Sequence, residues 1–167
     1  MFTVIQDYFE KYPHEFELLF PKLEFIKELQ DPFIRSALPG HITASGIVIE
    51  QQQILLIKHR YIGEWFQPGG HVDPEEMPIE AAIREVHEET GWLTELRGIN
   101  LPIDIDVHLI PANPIKNEAE HWHVDFAYHL KAITKETALD PEDTQWFDIH
   151  TIQATRLVRA IKKSLAI

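Results

Sequence analysis

The chain contains no cysteine, which removes disulfides, thiolate zinc sites and thiol catalysis while leaving the compartment open. No stretch approaches the roughly eighteen consecutive apolar residues of a membrane-spanning helix. The residues after Met1 mix polar and aromatic side chains instead of forming an apolar signal core. A soluble, cytoplasmic protein with no membrane partner is expected. Positive charge is also scarce, with 15 Lys and Arg against 27 Asp and Glu, a formal net charge of −12. That balance disfavours nucleic acid or an anionic membrane as a partner, because both are bound by Lys and Arg neutralising phosphates. An anionic small molecule would need metal ions as a bridge. Internal repeats and low-complexity segments are missing too. What remains, 167 residues of which 44% are hydrophobic, suffices for one globular domain with a sizeable core.

The richest stretch is GHVDPEEMPIEAAIREVHEETGW, Gly70 to Trp92. Ile79, Ala82, Ile83 and Val86 recur at i, i+3, i+4 and i+7, the stripe of one buried helical face. The spacing predicts a helix over 78–90. Pro78 suits its first turn, and Gly91 stands where helices commonly end in a left-handed residue. On that helix Glu85, Glu88 and Glu89 fall at i, i+3 and i+4, so their carboxylates share a face. Like charges so placed repel. Arg84 reaches Glu88 at i+4, yet one guanidinium does not neutralise three carboxylates plus Glu76 from the preceding loop. A divalent cation would, and an all-oxygen donor set favours Mg²⁺, with Mn²⁺ as the alternative. The bland reading of the same run is a solvated acidic helix face.

The order Gly70, five residues, Glu76, seven residues, Arg84-Glu85-Val86, one residue, Glu88-Glu89, one residue, Gly91 and a bulky apolar residue resembles the Nudix box. Trp92 departs from the aliphatic residue usual there, a matter of packing and not of chemistry. The resemblance extends over about residues 40–150, including the HITAS, WFQPGGHVDPEE, DIDVH and HWHVD segments. It implies an α/β/α sandwich around a mixed β-sheet, here with additional N-terminal helices. It also implies Glu85, Glu88, Glu89 and the Gly69 carbonyl as metal ligands. Arg84 would orient the glutamates, with Glu76 and Gly70 in support behind them. The proline and tyrosine that mark the ADP-ribose and diadenosine polyphosphate branches are missing, so the substrate stays open.

Around this core, residues 1–40 read as a helical extension and 41–167 as the catalytic domain. Val4, Ile5, Tyr8, Phe9 and Tyr12 form one amphipathic stripe. Phe16, Leu19, Phe20, Leu23, Ile26 and Leu29 form another, interrupted by Pro21. These helices are expected to pack on the sheet; a cap over the substrate or a homodimer contact are the alternatives. Strands are expected over 42–50 and 53–59, joined by a short hairpin. In 103–110, Asp104, Asp106 and His108 alternate with apolar residues. In 121–130, His121, His123 and Asp125 do the same. These six, with His71 from the glycine loop, are substrate-binding candidates on the floor of a cleft; the alternative is a solvated sheet face. A separate zinc site is a further reading of the histidines. Trp65, Phe66 and Trp122 are candidates to stack on a base, or else core aromatics. Asp140, Glu142 and Asp143 lie in a loop where relatives carry a further metal ligand or general base. The tail, 151–165, reads as an amphipathic helix with Leu157, Val158, Ile161 and Leu165 inward and its basic residues suited to the C-terminal end of the helix dipole.

The reaction implied is metal-dependent hydrolysis of a diphosphate bond in a nucleoside diphosphate linked to another group. Charge stabilisation would dominate, and Glu88, Glu89 or a loop acid would accept the proton. The alternative is a binding module of the same fold that senses a nucleotide without turning it over. An isoprenoid diphosphate isomerase would want a cysteine, which the chain lacks.

Overall fold

A computed structural model describes residues 2–60, 62–114 and 117–166. The outer ends of the two expected segments, Met1 and Ile167, lie outside the described residues. The N-terminal part holds helices α1 (Phe2–Lys11) and α2 (Phe16–Leu23), with short 3₁₀ turns at Pro13–Glu15 and Glu24–Glu28. Pro21 sits inside α2, and the chain passes from it straight into the second of those turns. Ile5, Tyr8, Leu19, Leu23 and Ile26 are buried in the same core as the sheet residues Ile42, Ala44 and Phe126.

The sheet is mixed. β1 (Gly40–Glu50) runs through its centre and pairs in parallel with the long β7 (His121–Lys135), placing His41 beside His123 and Thr43 beside Asp125. On its other side β1 meets β4 (Gly69–His71) antiparallel, Ser45 against Gly69 and Thr43 against His71. Beyond residue 48 it turns to β2 (Gln53–Lys58) through a two-residue hairpin, Gln51 and Gln52, both with positive φ. Such a primed turn matches the twist of the strands it joins. β3 (Trp65–Phe66) and β8 (Asp143–Asp148) flank β2, while β5 (Trp92–Leu96) and β6 (Asp104–Ile110) line the far side of β7.

Alternation along β1 decides the layers. Ile42, Ala44 and Val48 face the helix α3 (Pro78–Thr90) and the N-terminal helices, whereas Ile47 and Ile49 face the C-terminal helix α4 (Thr155–Leu165). On that second face, at the other end of β1, stand His41, Thr43 and Ser45, all buried and polar. α3 begins and ends where its signals are. Pro78 is at its first position, the Glu80 carboxylate accepts the Met77 N–H at 2.8 Å, and Gly91 takes the left-handed conformation at φ 75°. A side chain at Gly91 would run into the Glu136 carbonyl. Ala81, Ala82 and Val86 are fully buried, and burying a valine-sized side chain contributes about 1.5–3 kcal/mol.

The tail departs from its expected form. A 3₁₀ turn occupies Ile149–Thr151 and α4 starts only at Thr155. Leu157 and Ile161 point inward, but Leu165 is 61% exposed and Lys163 is buried in its stead. Two carboxylates draw Lys163 in, a cause that apolar periodicity does not register.

Candidate functional site

Helix α3 presents its acids to the loop that precedes it. Arg84 is the hub: Nε and Nη2 donate to the two oxygens of Glu76 at 2.9 and 3.0 Å, and Nη1 donates to Glu85 at 2.8 Å and Glu88 at 3.0 Å. Nη2 also donates to the His71 carbonyl at 2.9 Å, fastening the helix to β4. Among the described residues Glu89 has no cation bonded to it; its Oε2 accepts the Gly69 N–H at 3.0 Å. Burial is the main cause that pushes Glu89 up to about 8, with Glu85, Glu142 and Asp140 adding repulsion against the Gly69 hydrogen bond. Burial also raises Glu85, against the pull of Arg84. Glu76 is desolvated too, yet its bonds to Arg84 and the Asp73 N–H hold it below the usual carboxylate range. A side chain at Gly70 would collide with the Glu85 carboxylate. Glycine there is a requirement of packing, met by the closest approach of loop and helix.

The loop acids stand nearby. Glu142 and Asp140 donate their backbone N–H groups to the Glu89 and Glu88 carbonyls, at 3.0 and 2.8 Å. Arg60 bonds both of their carboxylates, Asp140 at 2.9 Å. Asp143 opens β8 opposite Lys58 and is exposed.

Beside the glycines, on the α4 face of the sheet, lies a cleft in two parts. A cavity of about 290 Å³ is lined by Gly69, Gly70, Phe66, His108, Asp125 and Arg156, among others. It adjoins a larger one of about 740 Å³ bordered by Arg35, Glu118, His121 and His123, and His71 lines both. Asp125 is buried, accepts from Ser45 Oγ at 2.6 Å and Thr43 Oγ1 at 3.1 Å, and is raised by that burial against these bonds. The structure thus brings Phe66, His71, His108, His121, His123 and Asp125 to one cleft. Asp106 stands at its margin, its carboxylate shared between His108 Nδ1 and Arg159, each at 3.0 Å.

Three candidates are placed elsewhere. Asp104 is 2% exposed and sealed under α4, where Arg159 grips both its oxygens at 2.7 Å and Lys163 adds a third contact at 2.7 Å. Trp65 packs edge-on against Phe147 in the core below α4. Trp122 lines neither cavity among the described residues.

Sequence reasoning missed five polar contributors. Thr43, Ser45 and His41 alternate along β1, a period-two signal that was there to be used. Arg156 and Arg159 stand in the first half of α4, away from the C-terminal dipole end for which the sequence suits basic residues, and reach the sheet. The Arg156 guanidinium lies 4.6 Å above the Phe66 ring, in reach of the smaller cavity.

A profile of the NUDIX domain matches residues 40–166. The chain belongs to the NUDIX domain family. Its similarity to a probable DHNTP pyrophosphohydrolase of Lactococcus lactis is 39% identity over 98 residues, 59% of this chain and 58% of that protein. A putative 8-oxo-dGTP diphosphatase of Bacillus subtilis shares 52% over 46 residues, 28% of this chain and 31% of that one. The matched parts thus span less than two thirds of either relative. Among solved structures, a NUDIX-family hydrolase from Clostridium perfringens superposes with TM-score 0.59 at 24% identity, over 75% of this chain and 97% of that one. A UDP-X diphosphatase superposes with TM-score 0.60 at 18% identity, over 94% of this chain and 82% of the other. At such identities these structures establish the NUDIX fold, with the mixed sheet between helices that the sequence implied. Among the described residues no helix is long and apolar enough to cross a membrane.

Proposed function

We propose that this NUDIX protein hydrolyses a diphosphate bond in a small nucleoside diphosphate derivative with the help of a divalent cation. One observation carries the reading: three glutamates of α3 converge with Glu76 on the Gly69-Gly70 loop, at the edge of the cleft, and a single arginine faces them. That cluster is short of positive charge, and its donors are all carboxylates, which fits a hard ion such as Mg²⁺ or Mn²⁺. Glu85, Glu88, Glu89 and the Gly69 carbonyl would hold it. When bound, the ion supplies charge neutralisation at the diphosphate and Lewis acidity at phosphorus.

The chain's own groups do the rest. Arg84 keeps Glu76, Glu85 and Glu88 in register. Glu89 is fixed by one oxygen on the Gly69 N–H, and Glu88, Glu89 or a loop acid takes the proton from the attacking water. Arg156, braced on Phe66, offers its guanidinium to a phosphate entering the smaller cavity. Asp125, His108 and His71 on the floor suit sugar hydroxyls and base edges. The activities named for the similar proteins, a probable DHNTP pyrophosphohydrolase and a putative 8-oxo-dGTP diphosphatase, are compatible with a diphosphate at the glycine loop and a base in the cleft. The N-terminal helices, sharing the core of the sheet, serve as a wall of the same unit.

The test is phosphate release from a panel of nucleoside triphosphates, nucleotide sugars, ADP-ribose and dinucleoside polyphosphates with Mg²⁺ or Mn²⁺, beside Glu88→Gln/Glu89→Gln. Cleavage by the wild type, lost in the double variant, supports the hydrolase. Nucleotide binding with no product over hours points instead to a sensing module.

A further inference from the structure

Five histidines gather on the cleft side of the sheet, and three of them crowd more tightly than cleft lining requires. His41 is fully buried, and among the described residues neither of its ring nitrogens has a hydrogen-bond partner of good geometry. The Ala37 backbone lies near enough to favour the protonated ring, though outside good hydrogen-bond geometry. Leaving such a group unsatisfied in the interior is costly. The His41 ring stacks on His121 at 5.0 Å between centroids and leans on His123 at 4.7 Å. One nitrogen from each of the three rings falls within 4.8 Å of the others.

The orientation of the rings matters as much as their proximity. His121 Nδ1 lies 2.7 Å from the Ala119 carbonyl, a contact that only an N–H can make favourably. That hydrogen bond places the proton on Nδ1 and leaves the Nε2 lone pair free, the usual way in which a protein prepares an imidazole ligand. The freed Nε2 lies 3.2 Å from His123 Nε2. Two nitrogens each about 2.0–2.1 Å from one tetrahedral zinc ion would be roughly 3.3 Å apart. Strand geometry fixes this arrangement: His41 and His123 are register partners on β1 and β7, and His121 lies two residues along β7 on the same face.

We propose that His41, His121 and His123 form a three-imidazole site for a first-row transition-metal ion, zinc(II) foremost, separate from the carboxylates of α3. Imidazole donors suit zinc, copper and nickel and are a poor match for Mg²⁺. Burial, followed by repulsion from neighbouring histidines and, for His41, from Arg35, lowers His41 to about 4 and His123 to about 2. His71 stands one step out, 5.0 Å from the His41 ring and 5.5 Å from His123. Three ligands leave the fourth position towards the larger cavity, where His121 and His123 form part of the wall. The two sites share β4, on which His71 is two residues from Gly69, about 7 Å of strand. A metal held by the histidines would therefore sit in the same cleft as a diphosphate on the glycine loop, next to it and not on it, since His71 and His123 line the smaller cavity together with Gly69 and Gly70.

Titration of the chelator-treated protein with Zn²⁺, followed by calorimetry, tests this. The expected result is one tightly bound equivalent, unaffected by excess Mg²⁺ and kept in Glu88→Gln/Glu89→Gln. In folded His121→Gln or His123→Gln it is weakened by about a hundredfold or more. Co²⁺ added to the wild type provides a readout that needs no variant: intense visible ligand-field bands are expected from a low-coordinate nitrogen site. Absence of zinc binding by the wild type, a weak six-coordinate cobalt spectrum, or zinc binding lost with the α3 glutamates and kept without His123 would each overturn the proposal.

Discussion

Two clusters of charge in this molecule use the same residue types to opposite ends. Under α4, Glu15, Asp104 and Asp106 meet Arg159, Lys163 and the Tyr8 hydroxyl, and nearly every oxygen is matched by a donor. Lys163 touches Glu15 at 2.6 Å, Asp104 at 2.7 Å and the Tyr8 hydroxyl at 2.8 Å, while its ammonium lies 4.4 Å from the Tyr12 ring centre. At the end of α3, Glu76, Glu85 and Glu88 share Arg84, and Glu89 rests on the Gly69 N–H, with no second cation bonded to these four among the described residues. The first cluster is close to neutral and sealed around Glu15, Asp104 and Lys163, with only Asp106 reaching the cleft margin; the second is overcharged and opens beside the glycine loop. Burial alone does not separate them, since Glu85, Glu89 and Glu15 are all poorly hydrated. Charge balance does. A network whose charges cancel holds the fold together, and one left with an excess is waiting for a ligand of opposite sign.

The comparison can be broken at either end. The largest effect is expected from Lys163→Met, which leaves Glu15 and Asp104 buried against Arg159 alone. Removing one partner of a buried pair typically costs about 3–5 kcal/mol, and chemical denaturation should show a midpoint shift of that size. Next comes Glu89→Gln, expected to lower the hydrolysis rate on the order of 10²–10³, by analogy with losing one electrostatic stabiliser. Circular dichroism should show its fold intact. Gly70→Ala would displace the Glu85 carboxylate without removing it. A misplacement of about 1 Å near the reacting groups costs about a hundredfold, so steady-state kinetics on the folded variant should fall by that order.

Titration sharpens the contrast further. Glu89 in the folded, metal-free protein titrates at about 8, above its usual 4.5. The folded state therefore binds the extra proton between those values, so this group's contribution is fully present below about 4.5 and is lost as the pH rises through about 8. His41 and His71 run the other way. Both are lowered from 6.5 to about 4, first by burial. Their contribution is fully present above about 6.5 and fades as the pH falls towards 4. Thermal unfolding of the chelated protein across pH 4–9 should thus lose stability at both ends. Glu89→Gln should flatten only the alkaline limb.

How far the sequence disclosed this contrast depended on distance along the chain. The α3 acids, Arg84 and both helix ends fall within one short element, where periodicity turns spacing into geometry, and that helix was legible residue by residue. The sealed network joins Glu15, Asp104 and Lys163 from three remote segments. Read alone, Lys163 is a solvated helix charge and Asp104 one polar position in an alternating strand. The alternation in β6 was correct, but α4 covers one end of that face and the cleft opens at the other, a division set by tertiary packing. His41 was hidden for another reason: it belongs to an apolar strand whose polar alternation, His41, Thr43, Ser45, acquires meaning only beside β7.

The most direct test sets the two clusters side by side. Unfolding free energies of Glu89→Gln and Asp104→Asn would be measured at pH 8 with a chelator present. Glu89→Gln should match or exceed the wild type, because it relieves an excess of negative charge, while Asp104→Asn should lose about 3–5 kcal/mol. If Glu89→Gln proved the more destabilised of the two, the α3 acids would be structural, and the reading of that cluster as a cation site would be wrong.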